Sequence, residues 1–362
     1  MVPDTDVTAA MAERVRAAAA AGTPLRIRGG GSKDFYGQAL RGEVLDMTAF
    51  AGVTSYEPSE LVVTVRAGTP LAELEALLAA QGQCLPFEPP HFGDSGARAT
   101  VGGMVASGLN GPARSSAGAV RDYMLGVVLL NGKGEQLTFG GQVMKNVAGY
   151  DVSRLMAGSL GTLGVLLEVS LKVLPVAPLE ATLAFDMDEA TALRQLNRWG
   201  GLPLSLNASC WQAGRLWVRL RGAKAAVAAA QKTLGGEAVG EGEARALWVA
   251  LREQALPFFR LQGDESLWRV SLPDTAAVLD FGATLVEWGG AQRWLKRPAG
   301  DAPAIRRAAA EAHGHATLFR SADKTVPVFS PLKTPLDRIH RELKKQFDPA
   351  GIFNRGRMYP DW

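Results

Sequence analysis

Three consecutive glycines, Gly29 to Gly31, close the short β-like run Leu25 to Arg28 in "LRIRGGGSKDFYG". Giving up three side chains where a strand ends permits positive φ angles and removes every Cβ, so several backbone N–H groups can converge on one anion. A diphosphate is the natural occupant, with the Ser32 hydroxyl and the Lys33 ammonium beside it. A flexible turn is the competing reading of the same residues. The two standard nucleotide loops do not fit: Asp34 stands where G-x-G-x-x-G needs its third glycine, and G-x-x-x-x-G-K-[ST] occurs nowhere.

Two further glycine-rich stretches follow, "ATVGGMVASGLNG" from Ala99 to Gly111 and "AGSLGTLGVL" from Ala157 to Leu166. Each alone reads as a turn or a tight packing site. Three of them in the first half of the chain suggest one long ligand laid against backbone at several places.

The elements around these loops alternate. Asp4 to Ala21 reads as a helix stopped by Gly22, and Leu25 to Arg28 as a strand. The strand Leu61 to Gly68 runs into a helix in which Thr69 is expected to cap, Pro70 to take the first position, and Leu71, Leu74, Leu77 and Leu78 to form one face. From Leu125, "LGVVLLNGKGEQLTF" predicts two strands joined by a glycine turn, and Leu163 to Leu174 another strand. At 362 residues the chain is longer than one core usually supports, so two domains are expected. "LPVAPLEA", Leu174 to Ala181, is the expected boundary, and all eight tryptophans lie beyond it. The expected partition is 1–176, 177–340 and a tail 341–362.

Composition narrows the function classes. The net charge is +3, with no basic run, so nucleic acid is not an expected partner. Cys84 and Cys210 are the only cysteines, too few for a disulfide framework or a cysteine-ligated cluster. Charged residues punctuate the alanine-rich N-terminus, and no segment reaches about 18 consecutive apolar residues, the length a membrane span requires. The expected location is cytoplasmic, or peripheral at the inner face of the cell membrane through partner subunits.

Five ordered blocks, "RIRGGGSK", "LVVTVRAGTPLAELEALLAAQG", "ATVGGMVASG", "VRDYMLGVVLLNGKGE" and "KNVAGYDVSRLMAGSLGTLGV", resemble the FAD-binding domains of the vanillyl-alcohol oxidase and p-cresol methylhydroxylase (PCMH) type. With "VEWGGAQRWLK", "HGHATLF" and the closing "FDPAGIFNRGRMY", the resemblance extends over nearly the whole chain to the FAD-binding E-subunit family of bacterial glycolate dehydrogenases, also called glycolate oxidases. It implies an α+β fold: a bipartite PCMH-type FAD-binding domain, then a smaller α+β domain of antiparallel sheet and helices. Carried over by position, it implies that Arg28, Gly29, Gly30, Gly31, Ser32 and Lys33 hold the FAD pyrophosphate. Thr100, Gly102, Gly103, Ser107 and Gly108 would line the stretch near the flavin. Ser159, Gly161, Thr162, Gly164 and Val165 would lie beside the adenosine or the inner face of the cofactor. Lys145, Gly149 and Tyr150 match a K-x-x-x-G-Y-D block, and Asn354 matches a C-terminal segment that returns to the flavin domain. Ser32 stands where relatives with covalent flavin carry a histidine, so non-covalent FAD is expected.

The resemblance also implies glycolate as the substrate of a multi-subunit complex, with a homologous catalytic FAD subunit and an iron–sulfur subunit as partners. A self-sufficient glycolate or D-lactate dehydrogenase is the alternative, and a scaffold that has lost flavin is a third. No catalytic residue is assigned. The H-x-G-D-G-N metal site of related dehydrogenases is missing, because "HGHATLFRSAD" lacks the G-D-G-N, and no metal is expected. His313 and His315, one residue apart, are expected on one strand facing the same way. Finally, if side chains at 29 to 31 fill space the pyrophosphate needs, Gly30→Val is expected to cost FAD binding far more than folding.

Overall fold

A computed structural model describes residues 4–93, 98–141 and 151–362. Helix α1 (Asp4–Ala21) ends at Gly22, which takes the left-handed φ of 67°, and strand β1 (Leu25–Arg28) follows, paired in parallel with β2 (Glu43–Asp46). Next come β3 (Val53–Glu57), β4 (Val62–Arg66), α2 (Leu71–Ala80) and β5 (Gln83–Cys84). The short helices α3 (Val101–Ser107), α4 (Arg114–Ala117) and α5 (Val120–Tyr123) lead to the hairpin of β6 (Met124–Leu130) and β7 (Gln136–Gly140). Helix α6 (Val152–Leu155) and strands β8 (Val165–Lys172) and β9 (Leu174–Pro175) complete this half.

Strands β3, β4, β8, β6 and β7, in that order, form an antiparallel sheet with both faces covered. Leu71, Leu74 and Leu78 of α2 and Met104 and Val105 of α3 pack on one side, and Met11, Val15 and Ala18 of α1 with Leu25 of β1 on the other. That double burial explains why β6 is apolar throughout and β8 carries Val165, Leu166, Leu167, Val169 and Leu171 on both faces. One local expectation is corrected. Pro70, not Thr69, is the N-cap of α2, because the Thr69 hydroxyl is taken by the Gly52 N–H at 2.8 Å.

The second half contains β10 (Leu179–Asp186), α7 (Glu189–Gly200), β11 (Leu206–Gln212), β12 (Arg215–Gly222), α8 (Lys224–Leu234), β13 (Glu237–Val239) and α9 (Glu241–Arg252). After these come β14 (Glu265–Ser271), β15 (Thr284–Glu287), β16 (Gln292–Pro298), α10 (Ala302–Glu311) and β17 (His315–Arg320). Its strands form one antiparallel sheet in the order β13-β10-β12-β11-β15-β16-β14-β17. Alternation along each strand splits this sheet cleanly. Leu216, Val218 and Leu220 join one core with residues of α7 and α8, and Val270, Leu295 and Leu318 another with residues of α10. The opposite face turns Cys210, Leu267, Leu285, Trp294 and Phe319 toward Tyr36, Leu109 and Leu160 of the first half.

Polar clamps reinforce this junction. Glu88 accepts from Arg219 at 2.7 Å and Arg221 at 3.2 Å, and Glu253, at the end of α9, accepts from the backbone N–H groups of His91 and Phe92 at 3.0 and 2.8 Å. Helix α11 (Leu336–Phe347) then turns the chain back, and Phe353 forms a parallel bridge with Leu25 beside α1.

Candidate functional site

The polar cleft begins where β1 stops. Among the described residues, none accepts a hydrogen bond from the backbone N–H of Gly29, Gly30, Gly31, Ser32 or Lys33. Five successive unpaired donors, with Gly31 at φ 79°, make a concave nest for an anion. Asp34 occupies the third-glycine position for a reason visible in the structure: its carboxylate pairs with Arg26 at 2.5 Å and Arg28 at 3.1 Å, fixing the loop's far side. The Lys33 ammonium lies 3.3 Å from both the Ser32 hydroxyl and the His91 carbonyl, and burial lowers its pKa to about 8 against the opposing pull of Glu253.

The glycines have a second task that the sequence did not disclose. A Cβ on Gly30 would sit 1.6 Å from the Arg98 carbonyl oxygen, and one on Gly29 would sit 2.2 Å from the Thr100 hydroxyl. The first obstacle to a side chain is therefore the chain itself. That corrects the expectation that Gly30→Val would spare folding.

Helix α3 forms the opposite wall. Thr100 caps it by accepting from the Gly103 N–H at 3.2 Å, and Gly102 lets it approach β4 so closely that a Cβ would lie 2.7 Å from that of Ala67. The loop 159–164 and the C-terminal tail close the end. Asn354 accepts from the Ile27 N–H at 2.9 Å and donates to the Leu160 carbonyl at 2.6 Å, tying β1 to that loop. Arg357 donates to the carbonyls of Asp34 at 2.9 Å, Lys33 at 3.4 Å, and Gln38. Lys344, buried and paired with Asp348 at 2.5 Å, donates to the Thr162 carbonyl at 2.7 Å.

Arg28, Gly29, Gly30, Gly31, Ser32, Lys33, Thr100, Gly102, Gly103, Ser107, Gly161, Gly164 and Asn354 thus line one cleft, with about 110 Å³ of accessible space. Four anticipated residues fall outside its lining. Gly108 is the left-handed C-cap of α3, the Ser159 and Thr162 hydroxyls are turned to the Met156 and Ser159 carbonyls, and Val165 is core. Lys145, Gly149 and Tyr150 lie outside the described residues. Arg357, Ile27, Met47, Ala67 and Leu166 line the cleft without having been anticipated. The histidine pair is also corrected, since His315 opens β17 but His313 sits in the preceding turn at φ 59°.

The residues present suit a dinucleotide: an N–H cradle flanked by cations for a diphosphate, then a groove walled by glycines and apolar side chains for flat rings. Comparison with known proteins agrees. The family described as "FAD binding domain" matches residues 6–140. A solved alkyldihydroxyacetonephosphate synthase superposes with a TM-score of 0.65 over 95% of this chain and 74% of its own, at 15% identity, and so shares the fold. The protein is an FAD-binding oxidoreductase subunit of the α+β, PCMH-type fold.

Among relatives, "Glycolate oxidase subunit GlcE" of Escherichia coli (strain K12) is 48% identical over 362 residues, which is 100% of both chains. "D-lactate dehydrogenase" of Anaerostipes hadrus is 34% identical over 134 residues, 37% of this chain and 27% of its own. The chain belongs to the family of glycolate oxidase subunit GlcE.

Proposed function

We propose that this chain is the FAD-carrying subunit of a multi-subunit glycolate oxidase, with FAD bound non-covalently in the cleft between β1, α3 and the tail. Residues 1–176 would form the FAD domain, 177–340 a cap facing partners, and 341–362 the returning tail. The observation that carries this reading is the full-length 48% identity to a glycolate oxidase subunit, in a chain whose cleft offers five unpaired N–H donors. Bound FAD would accept the two electrons released when glycolate becomes glyoxylate. The chain's own contribution is placement. Gly29 to Lys33 bind the diphosphate, Asn354 and Arg357 hold the two loops that embrace it, and the apolar wall excludes water. Electrons would pass to an iron–sulfur subunit, beside a homologous catalytic FAD subunit. These partners would also bring the chain to the inner face of the membrane, because no described helix is long and apolar enough to cross one.

Reconstitution tests this. Glycolate-dependent reduction of an artificial acceptor is expected only from an assembly that contains this chain. Equal activity from the partner subunits without it would contradict the proposal.

A further inference from the structure

The N–H cradle hangs between two supports of different kinds. On its near side β1 is held by regular pairing with β2, and the Met47 N–H donates to the Arg28 carbonyl at 2.9 Å. On its far side, residues 33–38 belong to no helix or strand. Two turns close that segment, the Asp34 N–H on the Gly31 carbonyl and the Tyr36 N–H on the Lys33 carbonyl, each at 3.0 Å. Side chains from distant parts of the chain hold the rest. Arg357 of the tail donates to the carbonyls of Lys33, Asp34 and Gln38. Lys324, in the loop that follows β17, donates to the Phe35 carbonyl at 2.7 Å and the Gly37 carbonyl at 3.1 Å. Five of the six carbonyls of the segment therefore point at two cations.

Lys324 is a costly residue at this place. It has no carboxylate partner among the described residues, and burial together with the Arg357 charge lowers its pKa. Asp323, its neighbour in sequence, is turned away: its carboxylate accepts from the Thr325 N–H at 2.8 Å and the Thr325 hydroxyl at 2.6 Å. The loop that presents Lys324 is also braced. The Ser321 hydroxyl lies 2.8 Å from that of Ser266 on β14, and the Val328 carbonyl accepts from the Leu318 N–H at 2.8 Å. A desolvated cation beside a second cation destabilises the empty fold. Two carbonyls offset part of that cost, and an anion in the adjacent cradle would offset more.

We propose that Lys324 is a positioning residue for FAD, holding the far end of the cradle from the second half of the chain so that the five N–H donors stand ready for the diphosphate. This rests on the proposed placement of FAD in the cleft. A cradle that keeps its binding geometry only part of the time binds proportionally more weakly. The coupling is reciprocal, so FAD in the cleft steadies the loop 321–328 in return.

The test titrates FAD into the flavin-free full chain by calorimetry and follows amide hydrogen exchange by mass spectrometry, for the parent, Lys324→Met and Lys324→Arg. Lys324→Met is expected to weaken FAD binding about tenfold, because Arg357 and the Phe35 and Tyr36 rings still hold part of the segment. In the flavin-free chain it should speed exchange at Asp34, Tyr36 and Gln38 and leave β10 to β12 unchanged. Lys324→Arg, which keeps charge and donors, should recover most of the affinity. FAD added to the parent should slow exchange in 321–328. A Lys324→Met chain that binds FAD like its parent would overturn the role. So would weaker binding with exchange at 34–38 unchanged, since the cation would then act by charge alone, and so would faster exchange throughout β10 to β12, since the residue would then serve folding at large. A parent chain that takes up no FAD would reject the placement itself, which unchanged affinity in Lys324→Met leaves standing.

Discussion

Lys33 and Glu287 are the two side chains whose protonation the fold displaces furthest in a way experiment can follow. Burial leaves the Lys33 amine with a pKa of about 8, and a diphosphate in the adjacent nest would pull that value up. FAD binding is therefore expected to take up protons near pH 8 to 9 and to weaken as pH rises through about 8, whereas Lys33→Met should flatten both effects. Titration in buffers of different ionisation enthalpy checks this. Glu287 is fully buried, and desolvation raises its carboxyl from 4.5 to about 7 against hydrogen bonds from Trp294 and Gln292. Its neutral form contributes stability below its ordinary value, and that contribution is lost as pH rises through 7. The gap corresponds to about 3 kcal/mol, so thermal unfolding should show stability falling as pH rises from 4.5 to about 7, and Glu287→Gln should remove most of that fall. Neither shift was legible in the sequence. Lys33 was visible as a cation beside glycines, but its neighbours Glu253 and His91 come from elsewhere in the chain, and the burial of Glu287 is set by the strands that pack around it.

At the scale of elements, the returning tail is a clasp. Asn354 joins β1 to the 159–164 loop, Arg357 holds the loop after the cradle, and Lys344 anchors α11 to Thr162. Asn354→Ala leaves the Ile27 N–H and the Leu160 carbonyl without these partners, which is expected to cost about 2–4 kcal/mol and to speed FAD release. Stopped-flow release and thermal unfolding check it, and unchanged release at lower stability would count against the clasp. Gly30→Ala, whose Cβ would meet the Arg98 carbonyl, should lower urea stability and FAD content together. Loss of FAD at full stability would instead restore the simpler view that ligand alone requires the glycine. Local patterns were readable where they were strong, as in α1, α2 and the β6–β7 hairpin. The Thr69 cap and the paired histidines were misread because Gly52 and the turn at His313, not local propensity, decide them.

For the molecule as a whole, the two halves meet across an aromatic core bounded by reciprocal ionic clamps. Arg219 is almost fully buried against Glu88, so Glu88→Gln leaves Arg219 short of a counter-ion, whereas Arg221 keeps Glu180 at 3.6 Å. The expected cost is about 3 kcal/mol or more, with faster hydrogen exchange in residues 85–93 and in β11 and β12. The glycine loops of the cleft and the order of their blocks were legible because close backbone approach leaves glycines in place of side chains. The aromatic core between the halves was not, since its members come from strands and loops of both halves that only the folded chain brings together.

The central claim is that the cleft between β1, α3 and the tail holds FAD. The most direct measurement is the absorbance spectrum of the purified chain after incubation with FAD and removal of the excess. One flavin per chain, released on denaturation, is the expected result. A colourless chain that takes up no FAD while remaining folded would contradict it.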